Sequence, residues 1–153
     1  MFDLRDHGAL PHPRLDAQFY DGVAMRRLAA FGIDTAAALL IGVLVAAAFG
    51  VATLGLGLLA FVPAVGLVGF LYRWLSIARW SATPGMLAAG IELRRYDGAR
   101  FDARDALIHT LLFGAMTLAV LPQIASMALM ATSPVGRGAH DMLLGSTAIN
   151  RPL

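Results

Sequence analysis

The chain reads as an all-α membrane protein: a small polytopic helical bundle with two full spans, a proline-broken third helical region and a short cytoplasmic β element. Three observations predict this. No charged side chain stands between Thr35 and Tyr72. Of all residues, 58% are hydrophobic and only 14% are charged, with a mean hydropathy of +0.69. A second uncharged run extends from Ala106 to Val135. Soluble domains seldom have this composition. Lipid offers the backbone no hydrogen-bond partner, so these runs must satisfy their own amides as helices. The 153 residues suffice for one such bundle and leave no room for a second independent domain.

Composition also closes several function classes. The net charge is +2 and all twelve basic residues are Arg, which reflects coding bias and gives no reason to infer a nucleic-acid partner. The absence of Cys excludes a disulfide framework, thiolate catalysis and Cys-ligated zinc. Asp3, Arg5, Asp6, Pro11 and Pro13 interrupt the beginning of the chain, and no apolar stretch starts before Leu28, so no signal peptide is expected. Residues 1–21 read as a short cytoplasmic tail and residues 22–150 as the membrane domain.

The elements follow in order. The long uncharged run is nearly twice the ~20 residues of one span, so it must fold back on itself. Gly50, Gly55 and Gly57 mark the reversal, giving a first helix from Met25 to Gly50 and a second from Leu56 to Ser76, the latter open to a kink at Pro63. Tyr72, Trp74 and Trp80 gather at the far end of the second helix, where amphipathic rings favour the headgroup level. Arg14, Arg26 and Arg27 precede the first helix, and Arg73, Arg79, Arg94, Arg95, Arg100 and Arg104 follow the uncharged run, while the connection between the helices carries no Arg. The positive-inside bias therefore places the N-terminus and the segment 73–105 in the cytoplasm, in a bacterial inner membrane.

Ile91 to Tyr96 alternates apolar and polar residues ahead of Asp97-Gly98, a two-residue hairpin signal that predicts a short ribbon. Asp102, three residues before Asp105, is placed to cap a third apolar helix. Pro122 divides that third region, and two topologies satisfy it: a single kinked span, or a hairpin of two shorter helices, 106–121 and 123–132.

Steps of four from Arg26 pass through Ala30, Asp34, Ala38, Gly42, Ala46 and Gly50, so Asp34 lies on the row with the smallest side chains. Such a row lets another helix approach closely, and Ala38, Gly42 and Ala46 are candidates for a homo-oligomer surface. Asp34 should face protein, where a carboxylate finds partners, with Arg27 or Arg137 as candidates. Arg27 lies about 10 Å from it along the axis, so a bridging group from elsewhere is expected. Two roles stand open: part of a ligand or ion site, or a structural cap with Arg27 anchoring to headgroups.

Arg27 to Asp34 (RLAAFGID), Thr83-Pro84-Gly85 ahead of Gly90 to Leu93 and Asp97-Gly98, then Arg137-Gly138-Ala139-His140-Asp141 with Leu144 to Thr147, together resemble the RDD family of bacterial membrane proteins. The resemblance covers about Gly22 to Asn150. Its naming residues, an Arg opening the first helix, an Asp within it and a later Asp, correspond to Arg27, Asp34 and Asp141. The chain departs at Met86, where the family commonly has Lys, so a phosphate or headgroup contact by that Lys has no counterpart here. The resemblance implies transport of an unidentified ligand. It also implies a cytoplasmic His-Asp segment, which together with a strand-like 146–149 facing 91–96 favours the hairpin topology.

The remaining polar residues have structural readings. His140 and Asp141 are adjacent, with no second His or carboxylate at ligand spacing, so no metal or other cofactor is expected. His109 reads as a neutral, satisfied imidazole, and Met127 and Met130 as packing residues. No serine has a nucleophile-elbow context, so no enzyme is expected. The functional expectation is transport of a small ligand or ion at a polar site of Arg27, Asp34 and Asp141, supported by Thr83, Pro84, Gly85, Arg137 and His140. The alternative is a non-transporting membrane adaptor or assembly factor that binds a protein partner.

Overall fold

A computed structural model describes residues 9–151 of the chain; the first eight residues of the expected tail lie outside them. Helix α1 (Val23–Ala52) has 30 residues, a length of about 45 Å against the ~30 Å of a bilayer's hydrocarbon core. The reversal that follows needs its glycines. Gly55 has a φ of +93°, and a Cβ on Gly57 would fall 2.8 Å from the Phe49 carbonyl oxygen. A 3-10 turn (Leu56–Ala60) then leads into α2 (Phe61–Trp80). Pro63 sits in the first turn of α2, where its missing N–H leaves no bond unmade, so it starts the helix instead of kinking it. Both helices are long and apolar enough to cross a membrane.

The small-residue row of α1 is where α2 lies. Ala30, Asp34, Gly42, Ala46 and Gly50 are buried, and a Cβ on Gly42 would meet Val65 at 3.1 Å. Within the chain, α2 thus packs on the row that carries Ala38, Gly42 and Ala46. The outward faces carry exposed Leu40, Leu44, Leu59 and Val62, as a bundle solvated by acyl chains requires.

Past Trp80 the chain turns at Ser81, whose hydroxyl donates to the Leu93 carbonyl (2.6 Å) and accepts the Phe101 N–H (2.9 Å). Thr83 caps the short helix α3 (Pro84–Ala88). Strand β1 (Ile91–Arg95) follows, and Asp102 caps α4 (Ala103–Ala119) by accepting the Asp105 N–H at 2.8 Å, as expected. The chain bends by 115° at Val120, φ +56°, into α5 (Leu121–Thr132), with Pro122 in its first turn. A last helix, α6 (Ala139–Leu144), leads to β2 (Ser146–Asn150).

Of the two pairings the sequence suggests for β1, the long-range one forms the ladder. β1 runs antiparallel to β2 from Ile91 opposite Asn150 to Arg95 opposite Ser146. The Asp97-Gly98 turn returns the chain only for an Arg94–Arg100 bridge, because Phe101 is then drawn away to Ser81. Asn150 also donates to the carbonyls of Gln18 (2.8 Å) and Asp21 (2.9 Å), so residues 9–21 are docked, with Leu10 and Tyr20 buried. A hydrogen-bonded ladder cannot straddle ~30 Å of hydrocarbon. β1 precedes α4 and β2 follows α6, so the two ends of the α4–α5–α6 region are held together, the arrangement of the hairpin topology. The apolar core lies at this end, around Ile77, Ile91, Leu93, Phe101 and Ala148.

Gly42→Leu should cost about 1–3 kcal/mol by overpacking against the α2 backbone. Gly66→Leu, where a Cβ meets nothing within 4 Å, should be neutral. Thermal unfolding of the two variants in one detergent checks the pair.

Candidate functional site

Asp34 and Thr83-Pro84-Gly85 are far apart in sequence and meet where α3 docks on α1. The Asp34 carboxylate accepts from the Gly85 N–H (2.8 Å), from the Tyr72 hydroxyl (2.9 Å) and, through its other oxygen, from the Thr83 hydroxyl. Thr83 Oγ1 in turn accepts the Met86 N–H (3.2 Å). Pro84 begins the helix without a donor, so the Gly85 amide is the one left to point at the carboxylate. Gly85 must be glycine, since a Cβ would lie 2.5 Å from the Ala30 carbonyl oxygen and 2.8 Å from Asp34. Asp34 therefore faces protein, as its row predicts, but its hydrogen-bond partners are neutral donors and not Arg27 or Arg137.

Arg27 has another carboxylate. Its Nη1 donates to Asp141 Oδ2 at 2.5 Å and to the Gly136 carbonyl at 3.0 Å. Asp141, at the third position of α6, also accepts the Gly138 N–H that opens that helix (2.9 Å) and sits 3.3 Å from His109 Nε2. Both members of the pair are buried, a costly arrangement unless every remaining lone pair is occupied, and here the backbone and His109 occupy them. Burial alone would raise the Asp141 carboxyl; the Arg27 guanidinium and the His109 hydrogen bond overcome this and hold it well below the usual carboxylate range.

Donor and acceptor logic fixes the two histidines. Arg27 Nη2 lies 3.3 Å from His140 Nε2 and can only donate, so that nitrogen accepts and His140 Nδ1–H faces Ser126 Oγ at 3.3 Å. Ser126 Oγ accepts the Ala139 N–H as well (2.9 Å). Burial then pushes the His140 imidazole down to about 3, keeping it neutral. His109 presents Nε2–H to Asp141, which leaves its buried Nδ1 without a hydrogen-bond partner.

The absence of a second His near His140, read from spacing, is thus corrected: the fold brings His109, His140 and Asp141 within 4.8 Å of one another. The trio resembles a metal-ligand set, but Arg27 is already bonded to its carboxylate and lies against His140. A cation there would have to displace a guanidinium, so the present arrangement serves Arg27.

An Arg opening the first helix, an Asp inside it and a late Asp therefore hold two linked polar clusters, and the profile of the RDD family matches residues 22–145. The chain belongs to the RDD family. No curated protein and no solved structure matches it. With its two long apolar helices it is a small helical membrane protein.

Next to the two clusters, this RDD protein has a cavity of about 240 Å³ between α1, α2, α4 and α5. Its walls are largely apolar: Met25, Leu28 and Phe31 on α1, Met86 on α3, Phe113 on α4, Met127 and Met130 on α5. Arg27, Asp34, Arg73, Gln123 and His140 bring polar groups to it. The guanidinium of Arg73 lies 3.8 Å from the Phe113 ring centroid. Arg137 does not line this cavity, and its buried Nε has no hydrogen-bond partner.

Sequence reasoning missed Tyr72, Arg73, His109, Gln123 and Ser126 as members of this region. The available signal was Arg73, which stands seven residues inside the end of α2 and so two turns deep, although it reads as a flanking topogenic charge. The others carry no sequence signal, because their partners arrive from other helices.

Two outcomes follow. Asp141→Asn should destabilise the protein by about 3–5 kcal/mol, because Arg27 is left buried without its counter-charge; thermal unfolding measures the loss. Between the folded His140 value near 3 and the ordinary histidine value of about 6.5, the unfolded state binds the extra proton. Stability should therefore fall as pH drops through that window, by up to about 1.4 kcal/mol per unit. The slope should shrink in His140→Gln when unfolding is followed from pH 7 to pH 4.5.

Proposed function

We propose that this RDD protein is a multi-pass protein of a bacterial inner membrane, with a cytoplasmic N-terminus, that transports a small ligand or ion by a non-enzymatic route. The observation that carries the reading is the cavity. It sits among helices that lipid would surround, its walls are apolar, and the Asp34 and Arg27 clusters reach it. This is the usual character of a ligand site, an apolar enclosure with a few convergent polar groups. Ionisable groups kept inside a membrane bundle commonly mark a substrate or ion path.

Each family residue has a part in this reading. Asp141 and Arg27 form a fixed clasp on the cytoplasmic side. Asp34 is a positioning residue that holds α3, and with it Met86, against the cavity. The Arg-free turn at Gly55 supports an external location for that end, and the arginines flanking α1 and α2 support a cytoplasmic location for the other.

Reconstitution into proteoliposomes with an ion and pH flux panel tests the function. Asp34→Asn keeps an acceptor for the Gly85 N–H but loses the charge, so it should insert normally and reduce flux about tenfold or more. Normal flux in Asp34→Asn would remove Asp34 from the mechanism. Absence of flux in the parent, with stoichiometric capture of a protein partner, would replace transport by the adaptor role.

Orientation is tested separately with cysteines introduced into this Cys-free chain. Asp97→Cys and Ser133→Cys should be protected from an impermeant reagent added outside cells, and Leu54→Cys, 97% exposed at the opposite turn, should label. Labelling of Ser133→Cys from outside would refute the same-side hairpin.

A further inference from the structure

Hydrogen-bond accounting separates the charged groups around the cavity. Asp34 and Asp141 are each saturated by donors, and Arg27 is engaged with Asp141, Gly136 and His140. Arg73 differs. A guanidinium carries five N–H donors, and that of Arg73 makes no hydrogen bond or ion pair among the described residues; it stacks on the Phe113 ring, and its buried Nε bonds nothing. Arg73 therefore brings a guanidinium with no protein acceptor to the wall of a cavity, where a bound acceptor would satisfy it. Gln123 also lines this cavity, from α5.

The cavity's size and mouth define that ligand. About 240 Å³ corresponds to roughly eight waters at ~30 Å³ each. It is smaller than the ~300–1,000 Å³ that encloses a drug-sized molecule, but adequate for an anionic head with its first carbons. Met25, 70% exposed, and Leu28, 48% exposed, line it from α1, and Met127, 38% exposed, lines it from α5. The cavity therefore opens sideways between two helices whose outer surfaces are apolar, the direction from which lipid approaches.

We propose that this cavity binds the phosphate or carboxylate head of an anionic lipid, with Arg73 and Gln123 as its hydrogen-bond donors and the acyl chain leaving between α1 and α5. The proposal rests on the transport reading and gives its ligand a class. Arg73 supplies a planar, permanently charged fork suited to such an anion, and its place over Phe113 holds the fork in one orientation. A Lys-free basic pocket between helices can still recognise headgroups in this way. Gln123 turns its amide NH₂ to the head, a reorientation that amide geometry allows.

The test is an equilibrium titration of the full-length protein in neutral detergent, read by native mass spectrometry and by thermal stabilisation. The probes are dioleoyl phosphatidic acid, dioleoyl phosphatidylcholine and sodium phosphate. Phosphatidic acid should bind one-to-one, about tenfold or more tighter than phosphatidylcholine, with sodium phosphate giving no comparable stabilisation at equal concentration. Arg73→Gln should lose about tenfold in affinity for phosphatidic acid, Arg73→Lys should recover part of it, and Gln123→Leu should weaken it less. Arg79→Gln, exposed on the last turn of α2 and outside the cavity, should match the parent.

Equal affinity for the two lipids would overturn the proposal, as would equal losses in Arg73→Gln and Arg79→Gln, which indicate surface attraction only. Stabilisation by sodium phosphate as strong as by the lipid would also overturn it, in favour of a small-anion site. Binding is read here without flux. A protein that binds phosphatidic acid through Arg73 but moves nothing refutes transport alone, and one whose flux is indifferent to Arg73→Gln and that binds no lipid refutes this inference alone.

Discussion

The buried ion pair between Arg27 and Asp141 holds the beginning of the membrane domain to its end, 114 residues later. Removing both charges from water is unfavourable, and their attraction offsets this only when the geometry is close and the remaining lone pairs are bonded. The neighbouring structure meets that condition. Gly136 takes a second Arg27 N–H, Gly138 and His109 complete the carboxylate, and His140 accepts from the guanidinium with its ring fixed by Ser126. These contacts bring α6, α4 and α5 to α1. They close the returning α4–α5 region onto the spans and deliver β2 to β1, so the ladder and the docked residues 9–21 depend on the same clasp.

The second carboxylate is stabilised by different means. Asp34 is surrounded by neutral donors, two hydroxyls and one backbone amide, so its charge is dispersed in hydrogen bonds and not cancelled by a direct ion pair. That solution needs α3 to end on the carboxylate, which in turn needs a donor-free Pro84 and a side-chain-free Gly85. It also leaves Arg73 without a bonded counterion. Of the charged residues that line the cavity, Asp34 and Arg27 are hydrogen-bonded and Arg73 is not.

The departure at Met86 fits the same picture. Met86 is buried and lines the cavity, so its thioether extends the apolar wall where the family commonly has a cation. The positive charge facing the enclosed space then comes from α2, through Arg73, and from α1, through Arg27.

Part of this architecture is encoded in short-range patterns along the chain. Thirty-eight uncharged positions divided by glycines fixed two long helices and their reversal; the four-residue row through Ala30 and Gly50 fixed which face of α1 is buried and that Asp34 lies on it; Asp102 and Asp105 fixed the start of α4. Each depends only on neighbours along the chain and on the absence of water from lipid. The remaining features depend on contacts between residues far apart in the chain. The i+4 row does not say whether its partner is another copy or α2. Adjacency of His140 and Asp141 does not reveal His109, which comes from α4. Pro122 is equally compatible with a kink and with a helix start, and the ladder between β1 and β2 chose between them. Asp34 could not be assigned Thr83, Gly85 and Tyr72, nor Arg27 assigned Asp141, until three-dimensional packing brought residues from separate helices within hydrogen-bond reach.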